Sequence, residues 1–242
     1  MKMQLCGLSR GAGKSRVLDS VNATLEAGEL ICAVGANGAG KTTLMKMMAT
    51  LFAPTEGEIL IDGEPLNRQR TDLRAKLHYL SDSPFFLTNN PVTHIYRAAL
   101  LYGQPPTRVK QQIVGWLRQF DLLDKAEHKI SSLSRGQKYK VAFIGLLAAN
   151  PDLWLLDEPF AAGVDPTGIS AMKRCIMKAC GAGHTVVYST QIVEIAEQFS
   201  DRIWILHDSK LSVDARSDEF KSNSDSFGLA GTLEQLLSLI HI

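Results

Sequence analysis

The chain of 242 residues has room for one large domain, or for one domain carrying a subdomain, and is too short for a multidomain machine. With 45% apolar and 21% charged residues, 19 Gly and 9 Pro, its composition is that of a core-forming protein, neither disordered nor fibrous. Twenty-six Lys and Arg against 25 Asp and Glu leave a net charge of +1, without the basic footprint of a protein whose main task is binding nucleic acid.

The four cysteines, Cys6, Cys32, Cys175 and Cys180, form no CxxC pair, and no two of the six histidines stand at i, i+4. A reduced, cytosolic chain without a structural metal site is expected. The start, MKMQLCGLSRGAGKS, has no apolar stretch of signal-peptide length, and the longest apolar run, Val141 to Ala149, is too short to span a bilayer.

In chain order, short apolar runs alternate with longer amphipathic ones and no internal repeat is visible, which predicts an α/β fold. Leu30 to Gly35 reads as a buried strand, followed by the helical run TTLMKMMATLF. TEGEILIDGEPL reads as a hairpin around Asp62-Gly63, giving an N-terminal antiparallel β subdomain. From about residue 84 to 150, HIYRAALLYG, TRVKQQIVGWLRQFDLL and QKYKVAFIGLLAAN place apolar residues at three- and four-residue spacing, an inserted helical subdomain. Asp152 to Glu158 and His184 to Thr190 are two more buried strands, neighbours of the first in a parallel core sheet. Arg216 to Gly228 is polar and Ser/Asp-rich, a linker or mobile loop, and TLEQLLSLI after it is amphipathic.

Three constellations carry chemistry. Gly35-Ala36-Asn37-Gly38-Ala39-Gly40-Lys41-Thr42, followed by Thr43, fits GxxxxGK[ST] between a strand and a helix. Such glycines let backbone N–H groups turn onto phosphate oxygens at a helix N-terminus, while Lys41 places charge on the β- and γ-phosphates and Thr42 offers a hydroxyl to Mg²⁺. The similar Gly11-Ala12-Gly13-Lys14-Ser15 lacks the first glycine, that position being Leu8. In DLWLLDEP the strand delivers Asp157 to its carboxyl end, where ligands bind in open α/β sheets; Glu158 is the candidate to orient or deprotonate a water. Leu133-Ser134-Arg135-Gly136-Gln137 is a polar turn before a helix, where Ser134 suits an N-cap.

Together the three resemble the ATP-binding cassette ATPases, over essentially residues 1 to 214, with 215–242 left as polar linker and C-terminal helix. The resemblance implies a P-loop NTPase core and two cassettes paired head to tail, each ATP lying between one P-loop and the signature Ser134, Arg135, Gly136 and Gln137 of the other. It implies catalysis by Glu158, Gln191 and Lys41, Mg²⁺ held by Thr42, Asp82 and Asp157, and Asp165 of the segment AAGVDP coupling the two sites. It further implies a second cassette subunit and an integral membrane permease as partners, no nucleic acid, and a cytoplasmic location at the inner face of the membrane. Phe85 and Phe86 fall where the family meets its permease or, alternatively, under the helical subdomain. Exporters are favoured as the nearest type.

Four positions depart from the family pattern. DEPFAAGVDP carries one extra residue before Asp165. Ala12 stands where an aromatic residue stacks on adenine, so weak discrimination between ATP and GTP is expected. Asp82 replaces the usual Gln, and Gln191 replaces a His, so the site loses a possible cation as charge develops. These changes keep two alternatives open: an ATP-binding regulatory or assembly subunit with little hydrolysis, and a soluble cassette ATPase not linked to transport.

Overall fold

The computed structural model describes residues 1–161 and 163–222. The chain runs β1 (Met3–Arg10), β2 (Leu18–Leu25), β3 (Leu30–Val34), α1 (Lys41–Met48), β4 (Glu56–Ile61), β5 (Glu64–Pro65), α2 (Thr71–Arg74) and β6 (Leu77–Leu80). It continues through α3 (Pro91–Leu101), α4 (Pro106–Gln119), α5 (Arg135–Ala149), β7 (Leu153–Leu156), α6 (Pro166–Gly181), β8 (Thr185–Thr190), α7 (Val193–Phe199), β9 (Arg202–His207), β10 (Lys210–Arg216) and α8 (Ser217–Ser222).

The three strands expected as neighbours lie side by side. The larger sheet has the order β10-β9-β3-β8-β7-β6, parallel from β9 to β6, with β10 antiparallel at one edge. Every residue of β3, β7 and β8 is buried, as a sheet covered on both faces demands. Alternation then sorts the side chains: Cys32, Val34, Trp154, Leu156 and Tyr188 join the core on the face of α5 and α6. Ile31, Ala33, Leu153, Leu155 and Val187 meet α1 and the antiparallel strands on the other.

The second sheet, β2-β1-β4-β5, is antiparallel. Its hairpin turns at Asp62 and Gly63, both at positive φ (52° and 85°), the backbone that a two-residue turn between right-twisted strands requires.

The helical stretch contributes α3, α4 and α5. Asn90 caps α3 by accepting from the Thr93 N–H at 2.9 Å, and Pro91 opens it. Eleven of the 15 residues of α5 are buried, so this helix is apolar nearly all round and runs through the core. It begins at Arg135, ahead of the Gln137 start expected from periodicity, because Ser134 caps it.

The expected linker also differs from Arg216 onward. Arg216 closes β10, its N–H donates to Glu219 Oε1 at 2.9 Å, Ser217 is buried and Phe220 packs on the core, so Ser217–Ser222 forms a helix. TLEQLLSLI lies outside the described residues. Among the described residues no helix is long and apolar enough to cross a membrane.

Parallel pairing gives the fold its working edge. The carboxyl ends of β3, β6, β7 and β8 open on the same side of the sheet, which brings the Gly35–Gly40 loop, Ser81–Ser83, Asp157–Glu158 and Gln191 to one cleft.

Candidate nucleotide-binding and hydrolysis site

The cleft has a volume of about 750 Å³ and is lined by the loop from Asn37 to Thr43, Val17, Lys46, Tyr79, Ser81, Asp82, Ser83, Asp157, Glu158 and Gln191. The loop closes only with glycine at Gly40, where φ is 102° and a Cβ would stand 2.7 Å from Leu18 Cδ2 and 3.0 Å from the Val17 carbonyl. Gly40 is also the N-cap of α1, with no side-chain cap and no acid in the first turn. The N-terminus of α1 is thereby left without a side-chain cap, an arrangement able to receive an anion.

Lys41 is buried, and its Nζ donates across the loop to the carbonyls of Gly35 (2.6 Å) and Ala36 (3.1 Å). Glu158 Oε1 lies 3.9 Å from it. Burial lowers the Lys41 pKa, while the carboxylates of Glu158 and Asp157 pull it back up.

Asp157 is 3% exposed, and three elements aim hydroxyls at it. Thr42 Oγ1 donates to Oδ2 at 2.8 Å, Tyr79 OH to the same oxygen at 3.0 Å, and Ser189 Oγ to Oδ1 at 2.7 Å. A buried carboxylate needs such partners. Tyr79, on β6, and Ser189, on β8, were missed by sequence reasoning. A serine inside the buried run HTVVYST was the available signal, because a polar group there must find a partner. Burial and the neighbouring Asp157 charge raise the Tyr79 pKa, so its hydroxyl stays a donor.

Glu158 has φ 48°, a left-handed backbone that costs a non-glycine residue roughly 1–2 kcal/mol. Its N–H is anchored on Ser189 Oγ at 2.9 Å, and Gln191 Nε2 donates to its Oε1 at 3.4 Å. The strain turns the chain sharply after β7, so that consecutive residues serve different tasks: Asp157 is locked in the floor, and Glu158 stands in the cleft as a carboxylate able to orient water.

Asp82 stands at the rim, half exposed, and pairs with Arg135 at 3.6 Å. Ala12 does not line the cleft; Val17 does. Phe85 is 84% exposed, whereas Phe86 is partly buried and meets His94 edge to face at 5.0 Å.

The signature turn is a capping box: Ser134 Oγ accepts from the Gln137 N–H at 3.2 Å, and Gln137 Oε1 from the Ser134 N–H at 3.0 Å. A Cβ on Gly136 would run into the Gly163 carbonyl, so glycine lets α5 approach the segment before α6. Asp165 caps α6 by accepting from the Gly168 N–H at 3.2 Å, and it is ion-paired with buried Lys140 of α5. Hydrogen bonds from Lys140 and Thr167 hold its carboxyl well below the usual range. The structure thus gathers Lys41, Thr42, Asp82, Asp157, Glu158 and Gln191 in one cleft. Ser134, Gly136, Gln137 and Asp165 do not line it, and Arg135 reaches it only through Asp82.

The profile of a family described as ABC transporter matches residues 18–161, more than half of the chain. An energy-coupling factor transporter ATP-binding protein of Lactobacillus delbrueckii is 33% identical over 217 residues, covering 86% of this chain and 75% of that one. A relative from Methanosarcina acetivorans is 30% identical over 96% of this chain, which spans only 38% of that protein's length. Among solved structures, an ATP binding subunit of an ABC transporter superposes with a TM-score of 0.86 at 27% identity over the whole of both chains. A dimeric ATP-binding cassette in a post-hydrolysis state, bound to ADP and Pi, gives 0.77 at 25% identity, over 89% of this chain and 98% of that one.

Proposed function

The chain belongs to the ABC transporter family, and on that premise we propose that it is an ATP-hydrolysing subunit that pairs with a second cassette around ATP and drives a separate membrane permease. The observation that carries the reading is the cleft floor, where Thr42 of the phosphate loop and Asp157 at the end of β7 are already joined at 2.8 Å with Glu158 and Lys41 beside them.

Lys41, now satisfied by loop carbonyls, would exchange them for β- and γ-phosphate oxygens, while the loop from Gly35 to Thr43 presents its N–H groups. Glu158, aimed by its strained backbone and by Gln191, would orient the attacking water and accept its proton. The hydroxyl and carboxylate oxygens of Thr42, Asp157 and Asp82 are the donor set a hard cation takes; Mg²⁺ held by them supplies neutralisation of phosphate charge. The dimeric relative with ADP and Pi supports a sandwich in which Ser134, Gly136 and Gln137 act across the interface and Asp165 couples the two sites.

Exposed Phe85 flanks a groove of about 450 Å³ that includes Leu51, Leu87, Leu101 and Tyr102, an aromatic anchor for the permease that would hold the subunit at the inner membrane face. Export is the direction we favour, and cargo accumulation in inverted vesicles carrying both subunits checks it. Gln191, which cannot become cationic, favours a second reading as an ATP-binding regulatory subunit with little turnover.

Steady-state ATP hydrolysis with Mg²⁺ separates the two. The motor reading expects turnover in the parent, a loss of about 100-fold or more in Lys41→Ala and Glu158→Gln, and an ATP-dependent dimer of Glu158→Gln. A parent that binds ATP without turnover, alone and with its permease, would overturn it in favour of the regulatory one.

A further inference from the structure

Apart from any Mg²⁺, the side chains of the cleft offer little positive charge to a reaction that develops negative charge on a phosphate. Lys41 and Lys46 are the cationic side chains of its lining, against the carboxylates of Asp82, Asp157 and Glu158, and Gln191 is neutral. A further cation stands just outside. Arg135 is the first residue of α5, its side chain is 64% exposed, and among the described residues its one charged partner is Asp82, at 3.6 Å.

We infer that Arg135 is a catalytic cation for the triphosphate held by the opposite cassette, and that Asp82 of its own chain holds it in reserve until the pair closes on ATP. The inference rests on the head-to-tail pairing proposed above, since it needs the signature turn of one chain to face the phosphate loop of the other.

Three observations support it. First, Asp82 stands where the family has a Gln, Arg135 lies within the signature turn, and in the fold the two face each other at 3.6 Å. Second, the pair is loose. Both side chains are half exposed or more and the separation is too long for a direct hydrogen bond, so the contact holds the arginine only weakly. A guanidinium can leave such a partner at little cost for a phosphate, where two parallel charge-assisted N–H···O bonds form. Third, the position is rigid where it must be. The Ser134–Gln137 capping box fixes the backbone on either side of Arg135, and Gly136 is packed against the Gly163 carbonyl, so only the side chain has to swing. No bond is made or broken by Arg135; it meets charge that develops on the γ-phosphate, the part a guanidinium plays when supplied in trans in phosphoryl transfer.

The test is complementation between two damaged variants. Arg135→Ala, which removes only an exposed side chain, is expected to keep the parent's melting temperature and to lose turnover by about tenfold or more, with the KM for ATP shifted by less than about threefold. Arg135→Lys should recover part of the rate. Mixing Arg135→Ala with Glu158→Gln at equal amounts then forms heterodimers in which one site joins the intact Glu158 of the first chain to the intact Arg135 of the second. Turnover should return to roughly a quarter of the parent's, half the dimers being mixed and one site in two being whole. Wild-type rates in Arg135→Ala overturn the inference. So does a mixture that stays inactive while an ATP-dependent heterodimer is seen by mass, because Arg135 would then act within its own chain or not at all. If Glu158→Gln forms no dimer with ATP, the proposed pairing fails, and action across it fails with it.

Discussion

At the floor of the cleft, Asp157 is 3% exposed and receives hydroxyls from α1, β6 and β8 at 2.7–3.0 Å. At the rim, Asp82 and Arg135 are 51% and 64% exposed and face each other at 3.6 Å. The floor is a satisfied polar network in a low-dielectric setting, where each bond is strong and each vacancy costly. The rim is a solvated ion pair with little to lose. Between the two carboxylates the contrast assigns tasks: Asp157 is buried and cross-linked, whereas Asp82, whose partner is free to leave, stands in water.

The largest expected effect comes from breaking the floor. Asp157→Ala leaves the hydroxyls of Thr42, Tyr79 and Ser189 without their acceptor, and it removes the oxygen that joins the phosphate loop to β7. A loss of about 4 kcal/mol in unfolding free energy is expected, read by denaturant titration, with turnover down by about 100-fold or more. A melting curve unchanged from the parent would mean that the network adds nothing to stability, and the comparison would collapse.

Acid should act between the two regions. His94 of α3 is buried; its Nδ1 accepts from the Leu87 N–H at 3.2 Å, and its ring packs on Phe86. Burial lowers its pKa to about 4, and burial with the nearby His94 does the same to His78. In the unfolded chain both titrate near 6.5, so between these values the unfolded state binds more protons and stability rises with pH. The contribution is full above about pH 6.5 and is lost as pH falls through it toward 4, on the order of 3 kcal/mol for each histidine. His94→Asn, whose carbonyl oxygen can replace Nδ1 as acceptor, should roughly halve that acid slope. The protection of the Leu87 amide against exchange, relative to its intrinsic rate at each pH, should fall in the parent before that of Glu158, loosening the rim side while the floor holds.

What could be read from the sequence follows the same division. The loop from Gly35 to Thr42 was legible as a candidate because phosphate binding needs contiguous residues, and Asp157 and Glu158 because they end an apolar strand; the fold brings them to one cleft. The parallel neighbours β3, β8 and β7 followed from uninterrupted apolar runs. Tyr79 was hidden, since a tyrosine in LHYL reads as core, and only the pairing of β6 with β7 brings its hydroxyl to Asp157. The contact of Asp82 with Arg135 left no local trace either, because it joins the end of β6 to the start of α5. The helix of Ser217–Ser222 was obscured by polar composition; Phe220, packed on the core, is the residue that sets it apart from a free linker.

The smallest expected effect is at the rim, and it is the sharpest check on the contrast. Asp82→Asn removes one charge of the Arg135 pair while keeping size and hydrogen-bonding capacity. If the pair is a solvated contact, the unfolding free energy of the nucleotide-free protein should move by less than about 0.5 kcal/mol, and adding salt to the parent should leave it nearly as unaffected, since a pair this exposed is already screened. A loss of about 2 kcal/mol or more would mean that Asp82 and Arg135 are fastened as the floor is. In that case an arginine could not be exchanged cheaply for phosphate, and the division between fixed and exchangeable charge would fail at the point where it predicts motion.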